Sequence, residues 1–413
     1  MPRKFNVPEY YRSSIIAQIK SQRSELDPRK KDFRPSVLDF GPVRFKIARH
    51  FGFCFGVENA IEIAYRAIEE NPDKRIYLLS EMIHNPGVNS DLQERGVQFL
   101  MRNDGTYLVD FNTLQEDDIV IVPAFGTTVE IQEKLSSVGI DPYYYDTTCP
   151  FVEKVWKRAG ELGKQDHTVI VHGKRAHEET RATFSHSKES APTLIVRDFD
   201  DTRFLIDYIK GKKTTEEFME RFSEAASANF QPEKHLKKVG VVNQTTMLAT
   251  ETKAIAKMIR SAMIELYGEE NIKEHFADTR DTLCYATYEN QNATRALIDA
   301  GADLSIVVGG YNSSNTSHLV ELCEEVMPTF YIRNSDEIKD ETEIKHFNLE
   351  SKSVIKTDNW LPTANGSRAV DIALTSGASC PDSEVDKVLQ KVLGLFPNSH
   401  SIEKALELVL VSG

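Results

Sequence analysis

The stretch Lys238-Val-Gly-Val-Val-Asn243-Gln-Thr-Thr246, followed by a helical pattern over 250–267, decides the fold class. Its β-branched run reads as a strand, its Asn-Gln-Thr-Thr segment as a polar loop, and the sequence beyond as a helix. The same unit recurs in both directions. A strand at 44–49 precedes a helix at 57–70, and one at 118–123 precedes a helix from about 129. Residues 143–146 lead into 151–165, and 168–172 into the segment after His177. Toward the C-terminus, 304–309 precedes 316–326 and 369–375 precedes 383–395. Strands alternating with helices at this spacing predict an α/β protein with parallel sheets.

The chain has 413 residues, 40% hydrophobic and 27% charged. That length suggests two to four domains at roughly 100–200 residues each. Apolar content of this size fills real cores and argues against wholesale disorder. No apolar run approaches the roughly 20 residues that span a bilayer. The start, Met1-Pro-Arg-Lys-Phe-Asn6, lacks the apolar segment of a secretory signal. The net charge of −13 has the wrong sign for the simplest nucleic-acid reading. A cytoplasmic protein without membrane or nucleic-acid partners is expected.

Charge is uneven. Residues 1–43 hold nine Lys and Arg against five Asp and Glu, a net of +4, which leaves −17 on the rest. The segment 9–20 reads as an amphipathic helix, and Pro28, Pro35 and Pro42 break the pattern after it. The expected organisation is an N-terminal extension (1–43), α/β domains at 44–149, 150–281 and 282–395, and a tail at 396–413. A polar insertion is expected at 210–237, helical over 215–226. Residues 334–366 read as a second polar, weakly patterned stretch.

Polar small residues cluster where strands end. The loops are Gly52-Phe-Cys-Phe-Gly56, Phe125-Gly-Thr-Thr128, Asp146-Thr-Thr-Cys-Pro150, His177-Glu-Glu-Thr180, Asn243-Gln-Thr-Thr246, Asn312-Ser-Ser-Asn-Thr316 and Ser376-Gly-Ala-Ser-Cys380. In open α/β sheets ligands lie beyond the carboxyl ends of strands. Hydroxyls and free N–H groups at helix starts suit an anion such as phosphate. Each loop by itself is equally a plain helix cap. Neither a dinucleotide-binding nor a P-loop glycine pattern is present.

The cysteines are Cys54, Cys149, Cys284, Cys323 and Cys380, an odd number with no CxxC pair. A disulfide framework is therefore a poor explanation, and a reducing compartment fits better. Cys323 shares a helical face with Leu319, Leu322 and Val326 and reads as core. Cys54, Cys149 and Cys284 stand at loop-to-helix junctions, where thiolates are favoured. They are either ligands of one iron–sulfur cluster or three unrelated buried thiols, and spacings of 95 and 135 residues match no compact motif. His84 and His177 sit in polar loops. Glu179 is a candidate proton donor, because burial raises a carboxyl pKa.

Together these loops resemble the 4-hydroxy-3-methylbut-2-enyl diphosphate reductase family (IspH, also called LytB) over roughly residues 44–395. The resemblance rests on Gly-Phe-Cys-Phe-Gly-Val, Ile-His-Asn-Pro, Asp-Thr-Thr-Cys-Pro, His-Glu-Glu-Thr, Asn-Gln-Thr-Thr, Cys-Tyr-Ala-Thr, Asn-Ser-Ser-Asn and Gly-Ala-Ser-Cys-Pro-Asp, in that order. It implies a trefoil of three similar α/β domains around a central iron–sulfur cluster. It further implies one 4Fe-4S cluster per chain, held by Cys54, Cys149 and Cys284. The implied reaction is reductive dehydroxylation of (E)-4-hydroxy-3-methylbut-2-enyl diphosphate to isopentenyl and dimethylallyl diphosphate, the last step of the methylerythritol phosphate pathway. Glu179 would supply a proton and Thr245 would orient the substrate hydroxyl. The diphosphate would lie among His84, His177, Ser313, Asn315 and Ser379, with Ser314 and Thr287 in or beside that pocket. A ferredoxin or flavodoxin would donate electrons, and in a photosynthetic eukaryote the plastid stroma would replace the cytoplasm.

Two departures stand out. Many bacterial members carry histidine where this chain has Phe125; the plant and cyanobacterial branch is similar to this sequence there. One diphosphate contact would therefore be lost, or replaced by Thr127 or Thr128. Tyr288-Glu289 replaces the commoner bacterial Thr-Asn. Cys380 is assigned to packing beside Ser379. The basic arm 1–43 suggests a docking role for an acidic electron donor. Two other readings stay open on the residues alone: a cluster-dependent dehydratase, and a zinc or redox-sensing binding protein.

Overall fold

The protein, a computed structural model, is described for residues 5–277, 282–362, 368–407 and 410–411. The outer residues of the expected extension and tail, the boundary residue 281 and positions 363–366 of the second polar stretch lie outside them. The chain divides into two compact units. One comprises 1–58, 84–87 and 285–413; the other comprises 59–83 and 88–284.

The first unit is built on a six-stranded sheet. Its order is Thr329–Ile332, Leu304–Val308, Val370–Ser376, Val43–Ile47, Ser36–Asp39, Leu410–Val411. The first four strands are parallel; Ser36–Asp39 runs antiparallel to Val43–Ile47, and Leu410–Val411 antiparallel to Ser36–Asp39. Leu304–Val308 and Val370–Ser376 are buried at every position, as expected for strands covered on both faces. Phe45, Ile47, Ile306, Ile372 and Leu389 share one core. Each such aliphatic side chain contributes about 1.5–3 kcal/mol by leaving water.

Three expectations change here. The boundary expected at 43 falls inside a hairpin, because Ser36–Asp39 and Val43–Ile47 pair along their length. Val43–Ile47 also joins strands from beyond residue 300 rather than those that follow it. The expected tail enters the fold: Ile402–Glu407 buries Ala405 and Leu406, and 410–411 closes the sheet. The helix expected at 9–20 is a 3-10 turn, Glu9–Tyr11, and then a helix, Ser14–Leu26. Ser13 separates them because its Oγ accepts from the Ile16 N–H, a cap that restarts the helix. Within 334–366 lies a hairpin, Glu343–Asn348 with Ser353–Asp358, anchored by buried Ile344.

The second unit holds two four-stranded parallel sheets. One is ordered Gln98–Phe99, Ile76–Leu78, Ile119–Val122, Tyr145–Asp146. The other is ordered Thr193–Val196, Thr168–His172, Val239–Asn243, Phe276–Ala277. The stretch 210–237 is less of an insertion than expected. Its helix, Thr215–Phe222, is shorter, and Phe218, Phe222, Phe230 and Leu236 fill this sheet's core.

All three sheets repeat one order. A central strand has the next strand on one side and the following strand on the other, which makes a switch point between adjacent carboxyl ends. A fourth parallel strand then lies beyond the third.

Candidate active site

The switch points carry the polar loops. In the second unit, Thr168–His172 is followed by the loop to helix Glu178–Lys188, and its neighbour Val239–Asn243 by Gln244, Thr245 and Thr246. Glu179 and Thr245 are buried and face each other. The Thr245 backbone N–H donates to Glu179 Oε1 at 2.5 Å, and its hydroxyl donates to Oε2 at 3.0 Å. Both carboxylate oxygens are thereby fixed in direction.

Gln244 ties the two loops together. Its Oε1 accepts from the Lys174 N–H and the Thr180 hydroxyl, and its Nε2 donates to the Thr246 hydroxyl. Sequence reading passed over Gln244, although it lies inside the quoted Asn-Gln-Thr-Thr segment. His177 caps the helix: its Nδ1 accepts from the Glu179 N–H at 3.2 Å. Neutral His177 must then carry its proton on Nε2, which makes that atom a hydrogen-bond donor. The Phe125 ring stands edge-on to the His177 imidazole, with centroids 5.6 Å apart, so it packs against this ring instead of donating a bond. Of the two replacements expected for Phe125, Thr128 accepts from the Ile131 N–H as the cap of helix Val129–Ser137, a bond that uses a lone pair and not its hydroxyl proton. The loop beneath is tightly held. Gly126 has φ +75°, and a Cβ there would lie 2.5 Å from the Trp156 indole, so only glycine fits.

In the first unit the same slots hold different side chains. Asn315 occupies the place in its helix that Glu179 occupies in the other. Its Oδ1 accepts from the Ala378 N–H at 3.0 Å, as Glu179 Oε1 accepts from that of Thr245. Because the Ala378 N–H can only donate, the atom facing it is the oxygen, and Nδ2 points elsewhere. Asn290 Nδ2 also leans on Oδ1, at 3.4 Å. Asn315 Nδ2 and Ser314 Oγ are then buried polar atoms with no hydrogen-bond partner among the described residues. Such groups cost about 1–3 kcal/mol each unless something bonds them, which marks a place built to receive acceptors. Ser313 caps helix Ser314–Glu324 through its Oγ. Ser379 donates to the His84 carbonyl oxygen at 3.1 Å, bringing those two predicted residues together. Thr287 is buried on helix Tyr285–Asp299. Asn290, on the same helix, is a supporting residue the sequence reading missed; the polar stripe of Thr287, Asn290, Gln291 and Thr294 is its only signal.

The cysteines separate into two kinds. All five are free thiols. Cys54, Cys149 and Cys284 each follow the fourth parallel strand of a sheet and directly precede a helix. Each donates its N–H to the carbonyl two residues past the end of the neighbouring strand: Cys54 to Ala378 at 3.2 Å, Cys149 to Ala124 at 3.0 Å, Cys284 to Thr245 at 3.2 Å. One local geometry thus occurs three times, once per sheet. Burial pushes the Cys54 thiol up, while the backbone N–H groups of Val57 and Gly56 pull it down by bonding the sulfur. Cys323 and Cys380 lack this setting. Both are fully buried; burial pushes Cys323 up to about 11 and raises Cys380 further. They remain neutral packing thiols, as expected.

The donor set bears on substrate affinity. Asn315→Asp keeps the Ala378 bond but turns a donor into an acceptor with charge. If the pocket takes the diphosphate that the sequence resemblance implies, KM is expected to rise about 10- to 100-fold, the loss of one charged hydrogen bond. Steady-state kinetics with unchanged thermal stability check this.

Two solved structures share this α/β fold. One is of (E)-4-hydroxy-3-methyl-but-2-enyl diphosphate reductase, the terminal enzyme of the non-mevalonate pathway. It superposes with a TM-score of 0.51 at 24% identity, covering 84% of this chain and 98% of that one. The other, the E-1-hydroxy-2-methyl-but-2-enyl-4-diphosphate reductase from Plasmodium falciparum, gives a TM-score of 0.60 at 24% identity over 86% and 89%. The family follows from the sequence: residues 45–393 match the model of the LytB protein family, and the chain belongs to it. Curated relatives carry the name 4-hydroxy-3-methylbut-2-enyl diphosphate reductase. That of Prochlorococcus marinus (strain NATL1A) is 38% identical over 94% of this chain and 92% of its own length. That of Trichormus variabilis is 39% identical over 93% of each. No helix among the described residues is long and apolar enough to cross a membrane.

Proposed function

We propose that the chain is a 4-hydroxy-3-methylbut-2-enyl diphosphate reductase, catalysing the reductive dehydroxylation to isopentenyl and dimethylallyl diphosphate. Family membership supports the reaction. The repeated cysteine geometry supports the cofactor: Cys54, Cys149 and Cys284, alike in position and backbone bonding, would each ligate one iron of a 4Fe-4S cluster. Three free cysteine thiols in one repeated setting at helix starts fit that group, because iron–sulfur clusters are held by cysteine sulfur. Bound there, the cluster would pass on the donor's two electrons one at a time and offer a Lewis-acidic iron for a hydroxyl that leaves poorly unaided.

The chain's own residues bind the substrate and supply the first of the two protons; the second proton goes to the allylic carbon. Glu179 delivers a proton at the substrate hydroxyl, so that water departs instead of hydroxide. Thr245 keeps both oxygens of that carboxyl in one direction. His177 offers its Nε2 hydrogen to the diphosphate. Ser314 Oγ and Asn315 Nδ2 donate to phosphate oxygens, with His84, Ser313, Thr287 and Ser379 around them. A protein electron donor of the ferredoxin or flavodoxin kind is part of this reading, and so is a reducing cytoplasm or plastid stroma.

Metal and sulfide analysis of anaerobically purified protein tests the cofactor. About four irons and four sulfides per chain are expected; stoichiometric zinc without sulfide would reject it. Product formed equally well without a low-potential reductant would replace the reductase with a dehydratase.

A further inference from the structure

The N-terminal segment grips the loop that carries Cys54. Residues 51–56 read Phe-Gly-Phe-Cys-Phe-Gly, and each of the three aromatic residues is met by that segment. The Phe5 ring stands edge-on to Phe55, with centroids 4.9 Å apart. Tyr11 stands edge-on to Phe53 at 5.7 Å. Lys20 Nζ lies 4.5 Å from the centre of the Phe51 ring and donates to the Phe51 carbonyl oxygen at 3.2 Å. Phe5 and Tyr11 are themselves buried.

The grip is anchored from behind. Lys20 Nζ bonds both oxygens of Asp382, at 2.7 and 2.9 Å, in the first turn of helix Asp382–Leu393. Ser13 Oγ donates to Asp386 on the same helix at 2.8 Å. Ile16 and Ile19 are buried in the core that also contains Phe51. Gly52 has φ +82°, and a Cβ there would lie 2.4 Å from Asp382 Oδ1 and 3.1 Å from Lys20 Nζ, so the loop is pressed against this pair.

We propose that residues 5–26 act as a clamp that positions the Cys54 loop and screens its thiol from solvent and oxidants. Phe5, Tyr11 and Lys20 are positioning residues acting through Phe55, Phe53 and Phe51. An apolar shell around a cluster ligand governs solvent access to it, so the clamp sets how readily this corner of the centre is attacked. The basic arm thus turns Phe5, Tyr11 and Lys20 toward the Cys54 loop, which differs from the donor-docking role its charge suggested. The inference rests on the reading of Cys54 as a cluster ligand.

The test is site-resolved alkylation of the full-length, metal-free chain by iodoacetamide, with Cys54 and Cys149 quantified separately by mass spectrometry. Tyr11→Ala and Phe5→Ala are expected to speed labelling of Cys54 about tenfold and leave Cys149 unchanged. Tyr11→Phe keeps the ring and should label like the unaltered chain. In the loaded enzyme, Tyr11→Ala should bleach faster in air and lose turnover equally with a protein donor and a small chemical reductant. Equal labelling of Cys54 in all forms, or parallel acceleration of Cys54 and Cys149, would overturn the clamp. So would loss of turnover confined to the protein donor. An unaltered chain that assembles no cluster would instead remove the ligand reading, a separate outcome.

Discussion

Cys149→Ser is expected to remove the cluster and all reductase turnover while leaving the fold intact. Cys149 occupies the cap position of helix Pro150–Lys164, but its side chain does not cap it. Serine is a good capping residue, so the substitution is neutral or slightly stabilising for the helix. Its backbone bond to the Ala124 carbonyl is independent of the side chain. The change falls on ligand chemistry: a serine hydroxyl stays protonated near neutral pH and is a hard donor, whereas iron–sulfur centres are held by thiolate. Iron and sulfide should fall from about four each per chain toward background, with an unchanged thermal transition. Cys323→Ser is the contrast. Its thiol is buried against the first unit's core, with Ser305 in hydrogen-bonding reach. A buried hydroxyl costs about 1–3 kcal/mol if unpaired, and Ser305 can pair it. The Tm can drop, but iron and sulfide should stay. Loss of iron from both variants alike would refute the division of the cysteines into two kinds.

That division was only half legible in the chain. Cys323 could be placed from its own helix, because Leu319 and Leu322 are local and buried with it; Val326, expected on the same face, lies past the helix end and is exposed. The kinship of Cys54, Cys149 and Cys284 could not, because it lies in sheet order rather than spacing. The second sheet carries additional helices between its strands, which stretches one interval. The strand before Cys54 pairs with strands from the far end of the chain, which hides the third copy altogether. The elements that read correctly, such as Thr168–His172 and Ala249–Tyr267, are those whose pattern is set by burial on the residues themselves. Phe218 and Phe222 were missed because one apolar face was diluted by the Glu and Lys of its exposed side. The polar loops were legible as helix starts, and Ser313 and Thr128 do accept helix N–H groups as caps, a role that uses a lone pair and not the hydroxyl proton. Asn290 and Gln244 matter through what faces them, and their only local signals were a polar helical stripe and a place inside the Asn-Gln-Thr-Thr loop.

Glu179→Gln is expected to lower kcat by about 10²–10⁴ with little change in KM, the loss of a general acid and not of a binding contact. The geometry makes this substitution unusually clean. Glutamine keeps an oxygen for the Thr245 N–H now bonded to Oε1. Its amide nitrogen can donate to the Thr245 hydroxyl, which then serves as acceptor where it now donates to Oε2. Shape, burial and both contacts survive; the transferable proton does not. Thr245→Ser should retain most activity because the hydroxyl remains. Thr245→Val leaves one carboxyl oxygen undirected and should cost less than the loss of the acid itself. The two effects should not add: once Glu179 is glutamine, removing the Thr245 hydroxyl has no proton left to aim. Full additivity would mean that Thr245 acts on the substrate directly and not through Glu179. A Glu179→Gln enzyme with normal kcat and raised KM would make Glu179 a binding residue and move the proton source elsewhere.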